Sequence, residues 1–421
     1  VTTLYNEVQC VPTIVPTDNF EPVLYTGDGG TQPITSLDFR PDFTWIKARE
    51  ASSSHVLFDS VRGVSNVISS ESTSGQTDLS PYGLTAFNND GFTVKDIASG
   101  NYGVNGSAGG TYSGTNAYYV AWNWNAPTAE TNTSGTITST IKKNVDAGFS
   151  IVKYTAAGSV SVGHGIDTPE LIIQKRTDVT SEWVTYTATT GLQKYLQLQS
   201  SAAVANDANF MTAVGASTFT SQWSSNSHDY INYCFHSVDG TNIVTGFRPA
   251  FVMFKATNAV GGNTFWVMLD NKRDGTTKKR LYANGSYAED TALSVDFLSN
   301  GFKINTSNSD VNANFNYIFL AIAEEVFNPS GVTRNATNPF GDASETNLYK
   351  FEDNATDSEG NNNGTESNVT YATGYIDKAA VFNGSSSKID LGNNSTNNSS
   401  TTSVSLWFKT SGHSGTATII N

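Results

Sequence analysis

The sequence predicts an all-β fold of tandem β-sandwich or jelly-roll modules, and three observations lead there. No apolar period of 3.6 residues is sustained over a helix length, while short apolar stretches alternate with turn residues. Of the 421 residues 36 are Gly and only 15% are charged, a turn-rich composition whose polar side chains suit local hydrogen bonding in loops. Four landmarks also recur three times in one order, the mark of a tandem array.

The first landmark is P-D-F-T-W-I-K at Pro41–Lys47, which returns as P-E-L-I-I-Q-K at Pro169–Lys175 and P-A-F-V-M-F-K at Pro249–Lys255. The second is H-V-L-F at His55, W-V-T-Y at Trp183 and W-V-M-L at Trp266. The third is G-F-T-V at Gly91, T-F-T-S at Thr218 and G-F-K-I at Gly301. A tyrosine-led strand closes each copy, Y-V-A-W-N-W from Tyr119, Y-I-N-Y-C-F from Tyr230 and Y-I-F-L-A-I from Tyr317. The template strands are apolar at successive positions (Phe251, Val252, Met253, Phe254), so both of their faces are expected to be covered.

Along the chain, residues 1–19 read as an irregular arm broken by Pro12 and Pro16. Module 1 spans 20–127, opens on V-L-Y-T-G at Val23–Gly27 and carries a Gly/Ser/Asn-rich loop at Ser99–Asn116. Residues 128–146, rich in Thr, Ser and Asn, read as a linker. Module 2 spans 147–240 and opens on I-V-K-Y-T at Ile151–Thr155. Module 3, 241–328, has no evident opening strand; it is either lost or shortened into Thr241–Thr245. Residues 329–345 read as a second linker, and 346–421 as a compositionally distinct final segment of short strands. The array is expected to form a rod.

Net charge is −14, from 24 Lys plus Arg against 38 Asp plus Glu, which disfavours nucleic acid and anionic membrane surfaces as partners. The two cysteines, Cys10 and Cys234, fall in different segments and build neither a disulfide framework nor a thiolate zinc site. The longest apolar run, Tyr317–Ala323, is far short of the ~20 residues that a membrane-spanning helix needs.

Three phrases of the final segment carry a resemblance: L-Y-K-F-E-D-N-A-T-D-S-E-G-N-N-N-G-T (Leu348–Thr365), A-A-V-F-N-G-S-S-S-K-I-D-L-G (Ala379–Gly392) and V-S-L-W-F-K-T (Val404–Thr410). They resemble the first half of a laminin-G-like, concanavalin-type jelly roll. Upstream, F-R-P-D-F-T-W-I-K (Phe39–Lys47), H-V-L-F-D-S-V-R-G (His55–Gly63), D-A-G-F-S-I-V-K-Y-T (Asp146–Thr155) and T-G-F-R-P-A-F-V-M-F-K (Thr245–Lys255) are similar to a repeated domain of tail-fibre-like proteins of marine bacteriophages. That resemblance implies a virion surface component and brings no catalytic residues with it. A glycine-rich strand usual in that family is missing between Gly240 and Thr245.

Candidate sites are few. Glu324 and Glu325 are adjacent on a strand end, so their side chains point to opposite faces and cannot flank one bond. The five histidines are scattered, and no G-x-S-x-G elbow supports acyl transfer. Asp353, Asp357 and Asn361, with the neighbouring amides Asn354, Asn362 and Asn363, offer hard oxygen donors for an optional Ca2+, although local Asx turns explain the same residues. Tyr102 and Tyr112, in the glycine-rich loop, are the candidate carbohydrate contacts, whereas Trp122 and Trp124 are expected in the core. The basic run Lys272–Arg280 reads as an exposed turn around Asp274-Gly275, open to an anionic sugar or a neighbouring subunit's acidic face.

The expected function is that of a non-enzymatic structural virion protein, a tail fibre or other surface appendage. It displays carbohydrate-binding modules for host attachment by avidity. Expected partners are other virion proteins, a host-surface glycan and further copies of the chain, with a trimer as the family-level expectation. No nucleic acid, no membrane insertion and no required cofactor are expected, and the location is the virion surface. Two alternatives stand beside this one: an architectural capsid or tail decoration or spacer, and a polysaccharide depolymerase whose catalytic part lies outside this segment.

Overall fold

The computed structural model describes residues 2–5, 19–97, 102–106, 117–236, 248–258, 264–273, 278–293, 295–298, 301–306, 308–313, 315–324, 349, 351, 353–357, 363–373, 378–391 and 407–410. Among them no residue is helical and the named strands all pair antiparallel, so the all-β reading holds. The chain divides into two compact units, residues 14–326 and a second that joins 1–13 to 327–421.

Within residues 14–326 each repeat forms an inner sheet around its template strand. In module 1 the order is Phe20–Thr26, Tyr118–Trp124, Phe43–Ala48, Val56–Asp59. Module 2 keeps that order with Phe149–Ala156, His228–Phe235, Leu171–Arg176 and Trp183–Thr187, and extends the sheet on both sides. Module 3 runs Tyr317–Ala323, Pro249–Ala256, Val267–Asp270, then Lys278–Tyr282 and Asp290–Leu293. Register is equivalent in all three: Trp122 faces Trp45, Tyr233 faces Ile173 and Leu320 faces Met253. The third landmark builds a smaller outer sheet in each module, with Gly91–Lys95, Thr218–Ser221 and Gly301–Ile304 as its strands.

Alternation along the strands explains the two-sided apolar pattern. Phe43 and Trp45, Leu171 and Ile173, and Phe251 and Met253 all enter one core shared by the three modules. The alternate residues Ile46, Ile172 and Val252 enter three separate cores, one inside each module. A rod would keep every core to itself. These modules instead converge on a common core, in which one face of each template strand is covered by residues of the other two modules.

Two further expectations are corrected. Residues 128–146 are no linker: Thr128–Asn132 and Ser139–Asn144 form a hairpin that adds two strands to module 2's sheet, with Ile141 fully buried in that module's core. The alternation around Ile141 and the β-favouring threonines outweigh the polar composition. The N-terminal arm is not wholly irregular, since Thr2–Tyr5 pairs between Lys378–Phe382 and Trp407–Thr410 in the sheet of the other unit. Thr370–Thr373 completes that sheet, and Thr365–Ser367 pairs with Lys388–Asp390 beside it. The stretch read as a second linker, 329–345, and the shortened strand considered at Thr241–Thr245 lie outside the described residues. Among the described residues no helix is long and apolar enough to cross a membrane.

Candidate functional site at the module junctions

Each template strand ends near a lysine, and these three lysines occupy one structural position. Lys47, Lys175 and Lys255 are fully buried. A buried ammonium must be hydrogen-bonded, and backbone carbonyls supply the acceptors. Lys175 Nζ donates to Thr73 O of module 1 at 2.8 Å and to Ser181 O. Lys255 Nζ donates to Ser201 O of module 2 at 2.9 Å and to Thr264 O at 2.7 Å. Lys47 Nζ binds Ala48 O at 2.6 Å and Ala51 O at 3.2 Å. Burial pushes Lys47 and Lys255 down to about 8 and Lys175 to about 7.

The second landmark supplies the next contact. Trp183 Nε1 donates to Ser69 O of module 1 at 2.8 Å, and Trp266 Nε1 to Gln197 O of module 2 at 3.0 Å. In module 1 the position is His55, whose Nδ1 accepts from Trp45 Nε1 at 2.9 Å. Burial, then Lys47 and Arg273, hold His55 well below the usual histidine range, against the Tyr282 backbone of module 3 that favours its proton. The amides of these three residues find equivalent acceptors in Gln199 Oε1, Asn284 Oδ1 and Glu71 Oε2, at 2.9, 2.9 and 3.2 Å. Ser181 N to Thr73 O (2.7 Å) and Ser53 N to Ser286 O (2.9 Å) repeat one main-chain bond at two junctions. Module 2 thus grips module 1, module 3 grips module 2 and module 1 grips module 3, which closes the ring.

Buried acid–base pairs reinforce two of the junctions. Asp59 and Arg62 are both buried, with Nε to Oδ2 at 2.5 Å, and Tyr233 of module 2 donates its hydroxyl to the same Oδ2 at 2.8 Å. Burial, then the Asp59 charge, hold the Tyr233 phenol well above its usual range, so it remains a donor. Asp270 and Arg273 repeat the pair at 2.6 Å, and Trp122 Nε1 of module 1 donates to Asp270 Oδ2 at 3.0 Å. Nearby, Arg49 of module 1 binds Glu289 of module 3 through two bonds of 3.0 and 2.8 Å, and Lys279 adds a third at 2.9 Å. Burial alone would raise Glu289, but Arg49 and Lys279 outweigh it and hold the carboxyl below its usual range.

Where the junctions meet, the shared core leaves a cavity of about 10 Å³ lined by Phe43, Trp124, Tyr233 and Phe251 among others, room for about one water. What this arrangement can do chemically is lock three modules into one body.

The sequence-predicted site residues lie elsewhere. Asp353 is exposed and paired with Lys378, while Asp357 is buried, its amide donating to Asn363 Oδ1 at 3.0 Å. Asn354 Oδ1 accepts from Thr356 N at 2.9 Å, an Asx turn. Among the described residues no group of three His, Cys, Asp or Glu is placed to hold a metal. Asn361 and Tyr112 lie outside the described residues, and Tyr102 is half-buried against module 1's core. Trp122 and Trp124 are core residues, as expected. The basic run is only partly exposed where it is described: Lys272 faces solvent, but Arg273 is fully buried and Arg280 pairs with Asp290 at 2.7 Å and Asp310 at 3.3 Å, while the turn at Asp274-Gly275 lies outside the described residues. The lysine ring was missed, although a lysine repeated at one position of an apolar strand was its signal.

Residues 15–326 match the family model of a domain of unknown function, DUF7483. No curated protein and no solved structure matches the chain.

Proposed function

This chain belongs to the DUF7483 family, and we propose that it is a non-enzymatic structural protein of a virion surface appendage in which residues 14–326 serve as a rigid architectural block. The observation that carries this reading is the closed ring of junctions: two of the three equivalent buried lysines, the donors to the two acid–base pairs and the Ser53 N to Ser286 O bond all make contacts between modules. Such a block transmits force and fixes the position of whatever is joined to it. The virion setting rests on the resemblance of the repeats to tail-fibre-like proteins.

A second reading concerns residues 346–421, whose phrases resemble a laminin-G-like jelly roll. Host-surface glycan adhesion belongs to this unit, with Ca2+ as an optional ligand of Asp353 and Asp357. Incubating the full chain with host cell-surface polysaccharide, with and without calcium, separates the readings. Retention without new reducing ends supports adhesion, and new reducing ends overturn both readings in favour of a depolymerase. Absence of retention leaves the architectural role, which then requires immunogold labelling of intact particles to place the chain on their surface; unlabelled particles sink it.

A further inference from the structure

The three tyrosine-led strands are equivalent in register but not in what covers them. Tyr118–Trp124 and His228–Phe235 lie inside their sheets and are almost wholly buried. Tyr317–Ala323 is half-buried at every residue and forms the edge of module 3's sheet among the described residues. Seven successive residues without a charge make an apolar edge, a template for strand addition, and among the described residues no strand pairs with its outer side.

Modules 1 and 2 show what fits there. Phe20, Pro22 and Tyr25 face Trp124, Trp122 and Tyr119. Phe149, Ile151 and Tyr154 face Phe235, Tyr233 and Tyr230. The paired tyrosines stack in both, with ring centroids 5.0 and 4.9 Å apart and planes within 12° and 13°. Both covering strands therefore share one pattern, an aromatic, then an apolar residue two positions on, then a tyrosine three further. Read against the sequence, an aromatic–x–apolar–x–x–Tyr pattern occurs at these two places and nowhere else in the chain. The segment that precedes module 3's template, 237–247, contains no tyrosine at all. In a second copy the two strands of this pattern are likewise already paired within their own modules.

We propose that the outer edge of Tyr317–Ala323 accepts a β-strand from a different protein, an extended segment carrying aromatic–x–aliphatic–x–x–Tyr that sets its tyrosine opposite Tyr317, its aliphatic residue opposite Leu320 and its aromatic opposite Ile322. Main-chain bonds to the edge give affinity, and the three side chains give register. This goes beyond the architectural reading by naming a docking edge and the chemistry of its partner, and it stands or falls separately from the virion setting.

The probe is a synthetic peptide with the sequence of residues 149–156, Phe-Ser-Ile-Val-Lys-Tyr-Thr-Ala, added to the full chain. The expected result is saturable one-to-one binding by fluorescence anisotropy, with amide exchange across 317–323 slowed by about tenfold or more while 119–124 is unchanged. A control peptide with serine for the tyrosine and aspartate for the isoleucine should bind at least about tenfold more weakly. Three results overturn the proposal: exchange at 317–323 already as slow as at 119–124 in the monomeric chain alone, meaning its own residues cover the edge; a dimer protected at 317–323, meaning a second copy does; or an unprotected edge that binds both peptides equally or neither.

Discussion

Two junctions of the ring carry a buried carboxylate and the third carries a threonine, and the difference comes down to how many oxygens the position offers. In modules 1 and 3, Asp59 and Asp270 use Oδ1 to cap the turn that follows, accepting from the amides two and three residues on at 2.8 to 3.1 Å. Their Oδ2 atoms are left for the arginine and for a donor from the neighbouring module, Tyr233 or Trp122. In module 2 the position is Thr187, whose single hydroxyl caps its own turn through Thr190, at 3.2 Å to the amide and 2.9 Å to the hydroxyl. The equivalent residue of module 3 is Leu320, which has no proton to donate and packs against the shared core. Acid is paired with donor, and threonine with leucine, within one chain.

The largest effect should come from removing a carboxylate. Asp59→Ala strands the buried Arg62, and Asp270→Ala does the same to Arg273; each should cost about 3–5 kcal/mol in urea unfolding. Thr187→Ala, which loses a turn cap and leaves no charge behind, should cost about 1 kcal/mol. Equal losses at the three positions would sink the distinction between the junctions.

Much of this was legible in the sequence and some was not, for definable reasons. Strand identity, the three repeats and the core role of Trp122 and Trp124 follow from apolar pattern and spacing, which act over a few residues. The convergence of the modules does not, because a two-sided apolar strand says that both faces are covered without saying by what. The hairpin at 128–146 was hidden by composition, since one alternating isoleucine, Ile141, outweighs many threonines and serines. Lys272–Arg280 misled in the opposite direction: charge suggests solvent, yet Arg273 has a preformed carboxylate three residues earlier in Asp270. Asp-x-x-Arg at the end of an apolar strand, present in modules 1 and 3, is the signal that a basic run turns inward.

A middle-sized effect tests the donors. Tyr233→Phe removes the proton given to Asp59 and a long 3.5 Å acceptor of Arg62 Nη2, while leaving the Asp59–Arg62 pair itself in place, and should cost about 1–3 kcal/mol. Combined with Asp59→Asn it should cost clearly less than the sum of the two single changes. Strict additivity would mean that the 2.8 Å contact contributes nothing to the junction.

The lysines give a pH signature with a definite sign. Burial holds Lys175 near 7 and Lys47 and Lys255 near 8, whereas the unfolded chain keeps these groups protonated to about 10.4. Between pH 7 and 10 the unfolded state therefore binds more protons, and stability rises with pH. Above about 10 the sign reverses, because the unfolded state releases the phenolic protons that burial makes Tyr154 and Tyr233 retain. Thermal unfolding should show Tm climbing by a few degrees from pH 7 to 9.5, and Lys175→Met should flatten the climb most. A Tm that falls across that window would show that the carbonyl cradles keep the ammonium groups charged.

The smallest effect isolates position from charge. Lys272 and Arg273 are neighbours in the same basic run, yet the side chain of one is 43% exposed and the other wholly buried. Lys272 pairs with Glu21 of module 1 at 3.0 Å, which makes it a cross-module ion pair like the buried ones, but in a solvent-screened setting. Its two charges keep most of their hydration when separated, so Lys272→Ala should change stability by no more than about 0.5–1 kcal/mol, and by less in 1 M salt. The buried pairs should resist the same salt, since ions do not reach them. A loss at Lys272 as large as that at Asp270 would mean that the ring is held by long-range attraction between the modules, and that the division of labour between Oδ1 and Oδ2 is incidental.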